Sequence, residues 1–214
     1  ARHVVIAAGC VESARLLLDT HRTNPSLLGA VAPWLGRGFN QHLRVDAGRV
    51  HVSPAWRRPL QKQATIFRRK GVTLAERGIA IDPDFARRER IGNASLNLRF
   101  ERQEGPSVSD FWARVRGRVL DEPAAFSNPH VSLEIDTEQT VTKDSRIELA
   151  DELDPLGKPR ARVRWTISET DCRTAYVAAK AFGGFAHSQG IGTLDLALGL
   201  KPISVAPDAR RDSN

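Results

Sequence analysis

The sequence predicts an α+β fold: an antiparallel sheet of about six strands with helices on one face, preceded by a strand and a helix of the parallel α/β kind. Three observations lead there. Residues 4–8 (Val-Val-Ile-Ala-Ala) are an apolar run that Gly9 breaks and a helical repeat follows at once, which is half of a βαβ unit. From Leu43 onward apolar residues alternate with polar ones, giving one dry and one wet face, as in an antiparallel sheet. Two longer stretches, from Ser107 and from Ser168, return to helical spacing and supply the covering layer.

Taken in order, the β-branched Val4, Val5 and Ile6 suit a buried parallel strand. Val11, Ala14 and Leu18 then fall on one helical face, with Leu17 beside them and Glu12 placed in the first turn, where a negative charge suits the helix dipole. Ala7, Ala8 and Gly9 make a turn that another backbone or a ligand can approach closely. Gly9 and Cys10 offer no capping side chain, which leaves the first helical N–H groups open to a ligand. Asn24-Pro25 marks a turn, and Gly29, Pro33, Gly36 and Gly38 make the next stretch a loop, anchored by Trp34, Leu35 and Phe39.

Leu43 to Val52 predicts a strand with Gly48 as a bulge or turn, and Pro54 to Pro59 a loop. Gln63–Arg68 and Gly78–Ile81 read as further strands, and Ala94, Leu96, Leu98 and Phe100 define a clear one. Ser107 with Asp110 predicts a helix cap, Phe111, Val115 and Val119 its apolar face, and Pro123 its end. Val131–Asp136, Ile147–Leu149 and Ala161–Ile167 read as strands, the last two joined across the Asp154–Gly157 turn. Ser168 with Asp171 caps a second long helix whose expected stripe is Cys172, Tyr176, Ala179, Phe182 and Ala186, stopped by Gly190 and Gly192.

Composition bounds the function classes. The net charge of +7 raises the question of an anionic partner. The arginines are scattered, however, and aromatic residues make up only 6% of the chain, so no stacking surface accompanies them and nucleic-acid binding is disfavoured. No apolar run approaches the roughly 20 residues that span a membrane. Cys10 and Cys172 lie far apart and form neither a disulfide framework nor a zinc pattern, so a reducing compartment, the cytoplasm, is expected. The 214 residues contain no methionine and lead almost directly into a buried-type strand, so the expectation is a piece of a longer protein.

Three passages in series resemble the glucose-methanol-choline family of FAD-dependent oxidoreductases. VVIAAGCVESARLLL is similar to that family's strand-AAG-x-x-E-S/T-x-R-L-L-L segment. Leu35-Gly-Arg-Gly-Phe-Asn-Gln-His42 resembles its L-V-G-R-N-F-M-D/E-H passage, with Gly38 in place of Asn and Gln41 in place of the acid. The segment from Glu138 to Trp165 resembles E-Q-x-P-N-P-x-S-R-I-x-L followed by D-x-L-G-x-P, with Val141-Thr142-Lys143 in place of Pro-Asn-Pro.

The resemblance implies that residues 1–42 belong to an FAD-binding domain, 43–190 to a substrate-binding domain, and 191–214 to a segment returning toward the FAD domain. It implies an enzyme that oxidises an alcohol or sugar hydroxyl, with hydride passing to flavin N5 and a histidine base taking the hydroxyl proton. Ala8, Gly9 and Glu12 match the segment that lies along the FAD, and His42 matches a residue near the cofactor. No catalytic residue and no metal ligand is assigned within the chain. The family's G-x-G-x-x-G cradle is absent from the sequence, and none of the six histidines sits in the family's catalytic context, so the chain alone is expected to be inactive. Those absences also motivate an alternative, a non-catalytic binding or scaffold module; a basic nucleic-acid binder is the weaker third reading.

Overall fold

The computed structural model describes residues 3–64, 67–69, 72–74, 78–102, 111, 112, 115, 116, 119, 129–199, 202 and 203. In chain order the elements are α1 (Cys10–Thr23), β1 (Leu43–Val52), α2 (Pro54–Ala64), β2 (Phe67–Arg69), β3 (Val72–Leu74), β4 (Ile79–Ala80), α3 (Pro83–Glu89), β5 (Ala94–Arg102), β6 (Pro129–Thr137), β7 (Arg146–Leu153), β8 (Pro159–Arg164), α4 (Glu169–Ser188), β9 (Gly192–Leu196) and β10 (Pro202–Ile203). They form two compact units. One is Ala1–Gln41 with Gln139–Ser168, and the other is His42–Glu138 with Glu169–Asn214. The division near residue 42 falls where the sequence changes character, but 139–168 groups with the first segment rather than with the expected 43–190 block.

The second unit is the α+β body. Its sheet has six strands in the order β10-β1-β6-β5-β4, with β9 also paired to β1, and every pairing is antiparallel. β6 alternates without a break, with Val131, Leu133, Ile135 and Thr137 buried and His130, Ser132, Glu134 and Asp136 turned the other way. That period of two places the strand between β1 and β5 with one face dry. The dry face packs against Ala178, Ala179, Phe182 and Ala186 of α4, with Leu60 and Ala64 of α2 at its margin. Gly48 does form a bulge. The β1–β6 register shifts between Asp46 and Gly48, and the Gly48 N–H donates to Asp46 Oδ1 at 3.1 Å.

Several expectations need correction. Residues 3–7 form no strand, and Val4 and Val5 are more than four-fifths exposed. A parallel strand requires a neighbour for its ladder, and none of the described strands lies beside it. Pro54–Pro59 is not a loop but most of α2. Pro54 occupies the first helical position, where its missing N–H costs nothing, and the packing of Leu60 and Ala64 on the core outweighs the interior Pro59. Of Gln63–Arg68, residues 63 and 64 end α2, residues 67 and 68 lie in β2, which pairs with β3, and residues 65 and 66 lie outside the described residues.

On α4, Cys172 and Tyr176 are exposed, and the buried stripe is Ala175, Ala178, Ala179, Phe182 and Ala186. The small alanines let the helix approach the sheet closely. Elements that were not expected are β3, α3, β9 and β10. Asp82 caps α3 by accepting the Phe85 N–H at 2.9 Å, with Pro83 at the first helical position. Of the helix expected from Ser107, residues 111, 112, 115, 116 and 119 are helical, and the cap at Ser107 and the end at Pro123 lie outside the described residues.

The first unit contains α1, two single-turn 3-10 helices at Pro25–Leu27 and Ala32–Trp34, and a separate hairpin of β7 and β8. The two strands expected at 147–149 and 161–167 therefore pair with each other and not with the main sheet. Ion pairs hold α1 on the hairpin. Arg15 Nη1 lies 3.1 Å from Asp154 Oδ2, and Lys158 Nζ 3.4 Å from Asp19 Oδ2.

Three carboxyls here are held below the usual carboxylate range. For Asp154 the main cause is the Lys158 backbone N–H, for Asp19 it is Arg22, and for Glu148 it is Arg164. An acid lowered in the folded state adds stability that is complete above its ordinary pKa and is lost as pH falls through the lowered value. The urea midpoint of the chain is therefore expected to fall as pH drops below about 4, and Asp154→Asn to flatten that fall. A midpoint that is constant down to pH 3, or an unaltered profile in the variant, contradicts this origin of the acid sensitivity.

Candidate functional site

The passages at 35–42 and 138–165, about a hundred residues apart in the chain, meet in the first unit through residues 35–41 and 139–165. The Phe39 N–H donates to the Ser145 carbonyl at 3.0 Å, and the Ile147 N–H to the Gly36 carbonyl at 2.7 Å. Arg37 and Arg146 form an isolated antiparallel bridge between them.

Two buried polar side chains lock this seam. Gln139 Oε1 accepts from the Gln41 N–H at 3.1 Å and from Trp165 Nε1 at 2.8 Å, while its Nε2 donates to the Thr166 carbonyl at 2.8 Å. Ser145 Oγ donates to the Thr166 carbonyl at 3.1 Å and accepts the Thr166 N–H at 3.0 Å. Buried polar groups with all partners in place fix one arrangement, because any slip strands them without water. Gln139 of the Glu-Gln pair and Ser145 and Ile147 of the Ser-Arg-Ile run thus have structural work in the seam. α1 completes the unit, its Arg15 also donating to the Pro159 carbonyl at 3.1 Å.

Ala8, Gly9 and Glu12 sit together at the N-terminus of α1. Gly9 has φ +83° and no atom within 4 Å of where a Cβ would stand, and no side chain caps the helix. The Ala8 N–H donates to Ser13 Oγ at 3.2 Å, and Glu12 Oε2 accepts from Arg15 Nε at 2.7 Å. The backbone at Ala8 and Gly9 is exposed and open to close approach. Glu12 carries its own cation and is half exposed.

His42 begins the other unit and lies at one end of the wet face of its sheet. A cavity of about 570 Å³ opens there, in which the side chains of His42, Arg44, Asn93, Ser95, Asp136 and Glu138 stand beside Ala80 and Ala94. The cross-strand register makes it: Arg44 stands opposite Asp136, and Asp136 opposite Ser95. Arg44 grips Asp136 with two bonds, Nε to Oδ1 at 2.8 Å and Nη2 to Oδ2 at 3.2 Å. Arg99 Nη2 reaches Glu134 Oε1 at 2.7 Å in the next row. Among the described residues, the His42 ring and the Glu138 carboxylate make no side-chain hydrogen bond, so both can engage a ligand. Both donors (Arg44, Asn93) and acceptors (Asp136, Glu138) line this cavity. A hydroxyl group, which both donates and accepts, is the ligand chemistry that such a wall satisfies.

Of the four expected site residues, then, three stand at one helix terminus and His42 stands in the cavity of the other unit. Arg44, Asp136, Glu138 and Ser95 were not expected as site residues. The alternation placed Ser95 and Asp136 on the wet face, but only the register shows that they share a cavity with His42 and Arg44. The described residues contain no group of three or more His, Cys, Asp or Glu side chains that could hold a metal ion. No described helix is long and apolar enough to cross a membrane, and Cys10 and Cys172 are both free. In comparisons with known proteins, no family model and no curated protein matches this chain.

Proposed function

We propose that the chain works as part of an FAD-dependent oxidoreductase of the glucose-methanol-choline kind, where it forms the wall that receives an alcohol or sugar. One observation carries the reading. The three passages that resemble that family, separated by up to about 120 residues, converge: α1, residues 35–41 and residues 139–165 form one hydrogen-bonded unit. A chance likeness of three short strings has no reason to be contiguous in space.

When bound, the flavin supplies the hydride acceptor for the carbinol carbon. The chain's own residues bind and orient. In the first unit, Ala8 and Gly9 offer exposed backbone at an uncapped helix terminus with Glu12 beside them, as the resemblance implies for a segment along the cofactor. In the second unit, Arg44, Asn93 and His42 can donate to a substrate's hydroxyls, while Asp136 and Glu138 accept from them. A wall with this chemistry suits a substrate with several hydroxyl groups better than a plain aliphatic alcohol. A reducing compartment, the cytoplasm, accords with the two free cysteines. The first test is reconstitution of the protein, at its native length, with FAD. Visible flavin absorption that stays with the protein through gel filtration is the expected result, and a colourless protein overturns the reading.

A further inference from the structure

At the opposite end of the sheet's wet face from His42, β1 and β6 part company. Their pairing ends at Arg49 and Ser132, although β1 runs on to Val52 and β6 begins at Pro129. A small, mostly polar cavity of about 90 Å³ lies at the divergence, lined by Arg49, His51 and Arg57 with the backbone-bearing edge at Val52, Pro129 and Val131. Among the described residues the exposed side chain of Arg49 makes no hydrogen bond or ion pair, and the carboxylate opposite it in the register, Asp195, lies instead 2.6 Å from His51 Nε2. Arg57 spends its Nε on the Val52 carbonyl at 3.2 Å, which fixes the guanidinium and leaves its Nη groups unengaged. Arg49 and Arg57 line the same small space, and two guanidinium groups brought close together repel each other unless an anion lies between them. The planar arginine fork suits tetrahedral oxyanions, to which it can give two parallel hydrogen bonds.

We propose that Arg49 and Arg57 form a binding site for a single phosphate group, separate from the cavity at His42. The volume admits one such group and no more, so the ligand is inorganic phosphate or the end of a phosphate monoester, and the chain's +7 charge favours its approach. His51 keeps its ring on Asp195, 2.6 Å away, and serves as a wall of the cavity.

The test is a titration of the full chain with inorganic phosphate and, separately, with phenyl phosphate, followed by calorimetry and by phosphorus NMR line width at constant ionic strength. Saturable one-to-one binding is expected, weakened roughly tenfold or more in both Arg49→Gln and Arg57→Gln. Arg49→Lys, which keeps the charge but loses the fork, should fall between. Circular dichroism of each variant confirms the fold, and exposed Arg49 is the cleaner of the two sites. Binding of both probes assigns the site to a monoester, and binding of inorganic phosphate alone assigns it to the free ion. No saturable binding of either probe, or binding that Arg49→Gln leaves unchanged, overturns the proposal.

Discussion

Replacing Gly36 with alanine is expected to destabilise the chain by about 4 kcal/mol, among the largest effects of any single methyl group in the molecule. Gly36 has φ +71°, in the left-handed region that residues with a Cβ rarely adopt. A Cβ there would stand 2.0 Å from the Ile147 carbonyl oxygen, which is backbone and has no rotamer to yield. The chain can make room only by opening the seam. That breaks the 2.7 Å bond from the Ile147 N–H to the Gly36 carbonyl and disturbs the neighbouring bridge between Arg37 and Arg146. Strain and a lost buried hydrogen bond therefore add. Urea denaturation of the two proteins measures the difference; a loss below about 1 kcal/mol would show that the seam does not depend on this close approach.

The second large effect belongs to the sheet. Leu133 is wholly buried in β6, facing Gly48 of β1 on one side and Leu98 of β5 on the other. Gly48 has no side chain to move into a gap, and its own Cβ position is already filled by the Asp195 carbonyl oxygen at 2.0 Å. The cavity left by Leu133→Ala thus cannot collapse from that side, and the cost should lie toward the upper part of the usual range, about 3–5 kcal/mol. Leu98→Ala, at 6% exposure and nearer the β4 edge, should cost less. Equal losses at the two positions in the same denaturation series would contradict the argument that the glycine opposite Leu133 sets its cost.

What could be read in the sequence was the period of its strands. β1, β5 and β6 follow from alternation alone, and the Gly48 bulge follows from a glycine interrupting it. Alternation does not say which strand is the neighbour, and so the β7–β8 hairpin was assigned to the wrong sheet. The prolines misled at α2, because a proline at the first helical position and one in a loop look alike until Leu60 and Ala64 are seen on the core. Asp82-Pro83 carried a readable start signal for α3 that was passed over. On α4 the apolar stripe was drawn through the large residues, whereas packing chose the alanines and left Tyr176 about half exposed.

The candidate site was legible only in its residue types. His42 was singled out by its passage, but its cavity depends on Arg44, Asp136 and Ser95 standing in register on three strands, and Glu138 beside them. Register is a tertiary property, set by the burial of Leu43, Val45, Ile135 and Leu96 on the opposite face. The seam residues Gln139 and Ser145 were visible as part of a motif, and their burial shows why those side chains stand there.

If this chain forms the proposed substrate wall of a flavin-dependent oxidase or dehydrogenase, substrate should reduce the flavin. The visible spectrum of the FAD-reconstituted protein, at native length and without oxygen, reads this as a panel of alcohols and sugars is added. The flavin colour is expected to bleach with at least one polyhydroxyl compound, and Asp136→Asn to raise the concentration needed. Colour that persists through the whole panel, or bleaching indifferent to Asp136, overturns the proposal.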